Sequence, residues 1–206
     1  VPAAAVPAGA PPPPPPRHEP LHASDLGGAK ALPGEGLEEA EAKARGTALH
    51  LLLESFPGTA AGERAALAET LLGAPNPDLV AEASAVVDAP HLRHLFGAGA
   101  LAEVDLAANL PEFGGALLRG TVDRLIVGDD LVTCIDFKTN RTVPATPEAV
   151  PDGLLRQMGA YASALRQIYP GREIETAIVW TRAARLMPLP RRLVEAALLD
   201  ASRGLS

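Results

Sequence analysis

The stretch GTVDRLIVGDDLVTCIDFKT, Gly120 to Thr139, constrains the fold more than any other part of the chain. Two apolar, β-branched runs flank Gly128-Asp129-Asp130, the pattern of two antiparallel strands joined by a tight turn. Each run also carries a carboxylate, Asp123 or Asp136, where a buried strand is expected, and Lys138 stands two residues after the second. Ionised side chains persist in such places only when they are paired or hold a metal. Strands set side by side bring Asp123 and Asp136 together at one end of the sheet, where two oxygen donors suit a hard divalent cation such as magnesium or manganese. Alternation puts Asp136 and Lys138 on one face and Phe137 on the other. The lysine then stands beside the ion, where it can orient a water and offset charge on a phosphate. Two plainer readings stand beside this one: Asp136 with Lys138 as a surface ion pair on an edge strand, and Asp123 with Arg124 as a simple pair.

Outside the hairpin the chain divides by composition. Residues 1–34 are a Pro/Ala-rich linker, including the unbroken run Pro11 to Pro16. Such sequence favours an extended or disordered chain and cannot bury a core; its rival reading is a proline-rich docking ligand. The start Val1-Pro2-Ala3 has neither an initiator Met nor the charged start of a signal peptide, and reads as a piece of something longer.

Residues 35–206 read as one domain, with a helical part over 35–100 and a core over 101–206. Glu35 to Phe56 is rich in Ala, Glu and Leu, and Ala44, Ala48, Leu51 and Leu52 fall on one stripe of the expected helix. Shorter helices are expected over 62–72, 78–88 and 91–96, separated by Gly73, Pro75-Asn76-Pro77 and Pro90. A strand at 101–110 precedes the hairpin. A helix over 152–168 then crosses to a strand at 173–181, followed by a short apolar stretch at 186–189 and a closing helix from Arg191. The expected class is α/β, a mixed sheet in the order αβββαβ with a helical insertion before the sheet.

Composition excludes several functions. Eighteen basic and 25 acidic residues give a net charge of −7, so bulk electrostatics cannot grip a polyanion and any nucleic-acid contact needs a local basic surface. Arg182, Arg185, Arg191 and Arg192 are candidates for one, or else form a solvated helix start. Cys134 is the single cysteine, which excludes a disulfide framework and a cysteine-ligated zinc or iron–sulfur site; within an apolar strand it reads as buried packing. No apolar run approaches the roughly 18 residues of a membrane span, and no G-x-x-x-x-G-K-[ST] loop is present to bind ATP.

Two helical pairs add polar chemistry. Gly46 and His50 lie one turn apart on the first long helix, a small residue that allows close approach followed by an imidazole, which alone is more often a structural or surface residue than a ligand. Gln157 and Tyr161 are spaced alike on the later helix and face the same strands.

Taken in order, Gly46-x-x-x-His50, Gly120-x-x-Asp123, Asp136-Phe137-Lys138-Thr139 and Gln157-x-x-x-Tyr161 resemble the motifs of the RecB-like nucleases within the PD-(D/E)XK superfamily. The wording RGTALHLLLE and LLRGTVDRLIV is most similar to the C-terminal nuclease domains of AddA-type helicase–nuclease subunits. The resemblance spans roughly Ala44 to Thr181. It implies a restriction-endonuclease-like core and cleavage of DNA phosphodiesters with magnesium. In it His50, Asp123 and Asp136 hold the metal with the backbone carbonyl of Phe137, Lys138 positions or activates the attacking water, and Gln157 and Tyr161 support the site or touch the DNA strand. Glu103 resembles an acidic residue of the first core strand, as a second-metal ligand, an outer partner or a surface carboxylate; Asp105 shares its face and can exchange places with it.

Further expectations follow from the resemblance: an exonuclease fed single strands by a helicase motor N-terminal in a parent chain, an AddB-type partner subunit, a role in double-strand-break repair by recombination, and a bacterial cytoplasmic, nucleoid-associated setting. A catalytically inactive module of a helicase–nuclease complex and a freestanding RecB-like nuclease are the alternatives.

Overall fold

The alternating apolar runs of the hairpin do form two antiparallel strands, and the sheet is built around them. A computed structural model describes residues 19–31 and 39–204. In chain order its elements are β1 (Leu21–His22), α1 (Glu39–Ser55), α2 (Arg64–Leu72), α3 (Pro77–Asp88), β2 (Ala100–Leu110), β3 (Ala116–Val127), β4 (Leu131–Lys138), α4 (Asp152–Ile168), β5 (Glu173–Trp180), β6 (Arg185–Leu189) and α5 (Arg191–Gly204). The helix expected over 91–96 is a 3-10 segment, Pro90–Phe96, which takes in the proline expected to precede it.

The sheet is mixed. Its order is β1-β3-β4-β5-β6, with β2 along the other edge of β3. The β3–β4 register runs from Arg124↔Ile135 to Val127↔Val132 and closes where the Gly128 N–H donates to the Leu131 carbonyl at 2.8 Å. β4 and β5 are parallel because α4 carries the chain between them. On one edge of β3, β1 covers Leu118–Arg119 and β4 covers Arg124–Val127, so Gly120–Asp123 has no strand partner there.

Helices cover both faces. α4 and α5 close one core around Leu118, Val122, Cys134, Met158 and Trp180, while α1 to α3 close the other around Leu49, Leu52, Phe56, Ile135 and Phe137. Cys134 and Ile135 thus enter opposite cores, and for this reason β4 reads as a near-continuous apolar run. Gly159 lets α4 and α5 touch: a Cβ there would lie 2.3 Å from the Val194 carbonyl oxygen.

The buried face of α1 is Leu49, Leu52 and Leu53, continued by Phe56 just past its end, whereas Ala44 is exposed. The stripe expected from Ala44, Ala48, Leu51 and Leu52 is rotated because the large side chains at i, i+3, i+4 and i+7 bury more area than alanines do. Arg124 on β3 donates to the Leu53 carbonyl at 2.8 Å and lies 5.2 Å over the Phe96 ring, so it secures the end of α1 and is not the partner of Asp123.

Part of the stretch assigned to a linker is folded. Ala23 and Leu26 are buried in the core, β1 pairs with β3, and the Gly153 N–H donates to the Ala29 carbonyl at 2.8 Å. The proline run at 11–16 and the start of the expected first helix at 35–38 lie outside the described residues.

Candidate active site

The site forms where β3 and β4 part. Their ladder ends at Arg124↔Ile135, and beyond it the Phe137 N–H donates to Asp123 Oδ2 at 2.6 Å. A carboxylate stands in for a strand partner. His50, from α1, brings Nδ1 to 3.4 Å from Asp123 Oδ1 and Nε2 to 3.1 Å from the Phe137 carbonyl oxygen.

Asp136 follows on β4 and is 2 % exposed. Gln157, from α4, donates to its Oδ1 at 3.1 Å, and Lys138 Nζ lies 2.5 Å from its Oδ2. That second contact joins opposite charges in the interior, and it is Lys138 that satisfies Oδ2. Gln157 also reaches the Tyr161 hydroxyl at 3.3 Å, and that hydroxyl donates to the Thr121 carbonyl at 2.8 Å, inside the unpaired edge of β3. Gly120 makes room for this ring, since a Cβ there would lie 2.7 Å from Tyr161 Cε1.

Glu103 stands across from Asp123, between the pairs Ala102↔Arg124 and Val104↔Val122. Its φ of 48° is a left-handed conformation that a glutamate rarely adopts, and such strain collects at functional sites. One donor atom each from His50, Glu103 and Asp123 lie within 4.8 Å of one another.

The charges are mutually constrained. Burial alone would raise the Asp123 carboxyl, but the His50 hydrogen bond and charge, with Lys138 and the Phe137 N–H, hold it below the usual carboxylate range. Burial likewise opposes charge on His50, and Asp123 outweighs it, so the imidazole titrates above its ordinary value. Asp136 is raised by burial, with Lys138 opposing and Asp123 adding to the rise. Lys138 is held above its ordinary value by Asp136 and Asp123 in spite of its burial. Glu103 is raised by burial and then by the charge of Asp123. Carboxylates crowded in this way, with oxygen donors and one imidazole, fit a hard divalent cation.

The sequence profile of the PD-(D/E)XK nuclease superfamily matches residues 23–197. The chain belongs to the PD-(D/E)XK nuclease superfamily. Its nucleases use divalent metals, in accord with the donor set. No curated protein sequence matches the chain. Among solved structures, one titled "Crystal structure of SSO0001" aligns with a TM-score of 0.40 and 14% identity, over 92% of this chain and 78% of that one.

Within this superfamily core the residues singled out from the sequence fall into two groups. His50, Asp123, Asp136, Phe137 and Lys138 meet at the parting of β3 and β4, with Glu103 beside Asp123. Gln157 and Tyr161 are buried behind them, and their hydrogen bonds point into the site. Neither plainer reading of the hairpin survives, because Asp136 is buried and Arg124 is engaged elsewhere. Asp105 does not exchange with Glu103, since it accepts the Thr121 hydroxyl at 2.7 Å. Gly46 is not crowded: a Cβ there would sit 3.8 Å from Thr139 Oγ1, ordinary contact.

Three of the four arginines near the C-terminus are occupied, and Arg192, with its side chain 86% exposed, stays in solvent. Arg185 donates to the Pro144 and Ala145 carbonyls, Arg191 pairs with Glu195, Arg192 stands 4.0 Å from Glu148, and Arg182 reaches the Thr139 carbonyl. Sequence reasoning missed a support for Lys138. Its backbone carbonyl meets the hydroxyl of buried Thr181 at 3.1 Å, which contacts Glu82 at 2.6 Å, and Glu82 pairs with Arg45. No local pattern signals this, for the four residues come from four elements.

Proposed function

We propose that the chain is a magnesium-dependent deoxyribonuclease that hydrolyses DNA phosphodiesters. The observation that carries the reading is the buried Asp136–Lys138 pair beside Asp123 and His50 at one sheet end, inside a PD-(D/E)XK core. His50, Asp123, Asp136 and the Phe137 carbonyl would hold the ion, with Glu103 at its outer side. When bound, magnesium supplies charge that polarises a phosphate and activates water.

The side chains have distinct tasks. Lys138, held protonated by its two carboxylates, serves as a donor and a charge rather than as a base, orienting a water and offsetting charge on the phosphate as the water oxygen bonds to phosphorus and gives its proton to solvent, while the 3′ oxygen leaves and takes one up from solvent. Gln157 fixes Asp136 through Oδ1 and leaves Oδ2 to Lys138. Tyr161 anchors Gln157 to β3 through Thr121.

The resemblance of RGTALHLLLE and of the ordered motifs to AddA-type domains supports a finer reading: an exonuclease acting on strands delivered by a tethered helicase, with an AddB-type partner, in double-strand-break repair. The test is cleavage of end-labelled single-stranded and duplex DNA with magnesium or EDTA, alongside Asp136→Ala and Lys138→Ala. Metal-dependent degradation lost in both variants is expected. A folded chain that leaves both substrates intact, alone and within its parent protein, overturns the reading.

A further inference from the structure

Beside Lys138 lies a groove of about 710 Å³ between residues 24–31 and the first turns of α1, reaching Thr139 and Asn140. Its described lining carries Lys30, Lys43, Arg45 and Lys138 against one carboxylate, Asp25, in a chain whose net charge is −7. Two of these cations are committed, Arg45 to Glu82 and Lys138 to Asp136. The other two face water. Lys30 is 4.0 Å from Asp25 with both side chains at least half exposed, a separation at which solvent screens most of the attraction. Lys43 is exposed and has no acidic partner among the described residues.

The wall that bears Lys30 is fixed. Asn140 donates to the Lys30 carbonyl at 3.2 Å, Gly153 to the Ala29 carbonyl, and Arg156 to the Leu26 carbonyl at 3.3 Å. A solvated helix face would explain Lys43 alone. It does not explain a second lysine, on an anchored segment, lining the same groove together with the site lysine.

We infer that this groove carries the sugar–phosphate backbone of a DNA strand next to the bond being cut, with Lys30 and Lys43 as its phosphate contacts. The inference rests on the nuclease reading above. No aromatic side chain is present among the described lining residues, so bases have nothing to stack on and the contact is to phosphates. Binding through it is therefore independent of sequence and steeply dependent on salt.

The test compares the full chain with the Lys30→Gln/Lys43→Gln double variant and with Arg203→Gln as a remote control. Fluorescein-labelled oligo-dT, oligo-dA and a blunt hairpin duplex are titrated in EDTA over a range of salt. Each lost phosphate contact lowers the slope of log affinity against log salt by about 0.7 on a single strand or about 0.9 on a duplex. The double variant is thus expected to lose about 1.4 or about 1.8, equally for dT and dA, at an unchanged melting temperature. A change on the oligonucleotides assigns the groove to an unpaired strand, and a change on the hairpin alone assigns it to one strand of a duplex. Unchanged slopes on every probe, or the same loss in Arg203→Gln, overturn the groove even if the wild type cuts DNA with magnesium. A wild type that neither binds nor cuts any probe overturns the nuclease reading itself.

Discussion

Gly120→Ala is the sharpest test of how the site is supported. The added Cβ would lie 2.7 Å from Tyr161 Cε1, 3.2 Å from the Tyr161 hydroxyl and 3.3 Å from the Ala23 Cβ. The first distance is too short for any real contact, and the ring cannot simply swing away, because it is 3 % exposed and its hydroxyl is bonded to Thr121. Overpacking of this kind costs about 1–3 kcal/mol, or a fall of about 2–12 °C in melting temperature for a domain of this size. Relief requires Tyr161 to move, which draws Gln157 from Asp136; small misplacements near a reacting centre reduce rates by up to about 100-fold. The assay is urea unfolding of the wild type, Gly120→Ala, Tyr161→Leu and the double variant, with cleavage measured on each. Leucine has no atom at the Cε1 position, so in its presence the cost of Gly120→Ala should largely vanish, leaving a coupling of about 1–3 kcal/mol. Effects that add to within about 0.5 kcal/mol would show that the Tyr161 ring does not enforce Gly120, and the reasoning would be wrong.

Gly46→Ala should do the opposite, raising stability by about 0.8–1 kcal/mol through helix propensity, since its Cβ meets only Thr139 Oγ1 at 3.8 Å; a lower melting temperature would refute the assigned clearance. Magnesium at about 100 times its dissociation constant should stabilise the fold by about 2.7 kcal/mol, read as a rise in melting temperature that EDTA abolishes and Asp123→Asn removes. Arg64, through its paired hydrogen bonds, holds the Asp88 carboxyl below its ordinary value. The pair therefore stabilises the fold above about pH 4 and loses that contribution as pH falls through the lowered value. With the Asp88 side chain 57% exposed, the term stays within about 1 kcal/mol, and Asp88→Asn should flatten the acid limb of stability against pH by that amount.

Local periodicity carried far in this chain. The hairpin, the bounds of α4 and the closing helix were all legible, because each is set by its own alternation or turn signals within a dozen or so residues. What stayed hidden depends on contacts between distant segments. β1 is two residues long, and only its pairing with Leu118 and Arg119 makes it a strand, so a stretch beginning in prolines looked like linker throughout. The left-handed backbone of Glu103 leaves no mark in LAEVDL, and alternation alone therefore made Asp105 its equal. The arginines after Trp180 clustered in sequence, but Arg182 and Arg185 turn to carbonyls of distant segments and Arg191 to Glu195 on its own helix. Lys30 and Lys43 were unremarkable until the fold set them in one groove.

The opening in the edge of β3 explains why the site's residues and the fold's supports are the same ones. Backbone groups at an interrupted ladder still need partners. Here the Tyr161 hydroxyl meets the Thr121 carbonyl and the Asp123 carboxylate meets the Phe137 N–H. Asp123 therefore has two separable roles: an acceptor for a buried N–H, and a charge beside His50 and Glu103. Asp123→Asn keeps an oxygen for Phe137 and removes the charge, while Asp123→Ala removes both and leaves a buried donor unsatisfied, at about 1–3 kcal/mol. If both roles are real, unfolding without metal should cost little in the asparagine variant and that larger amount in the alanine variant, while the magnesium-dependent rise in melting temperature disappears from both. Equal destabilisation of the two would mean that the Phe137 N–H does not depend on the carboxylate. A magnesium response surviving in Asp123→Asn would remove Asp123 from the metal site, leaving His50 with Glu103 and Asp136 to hold the ion.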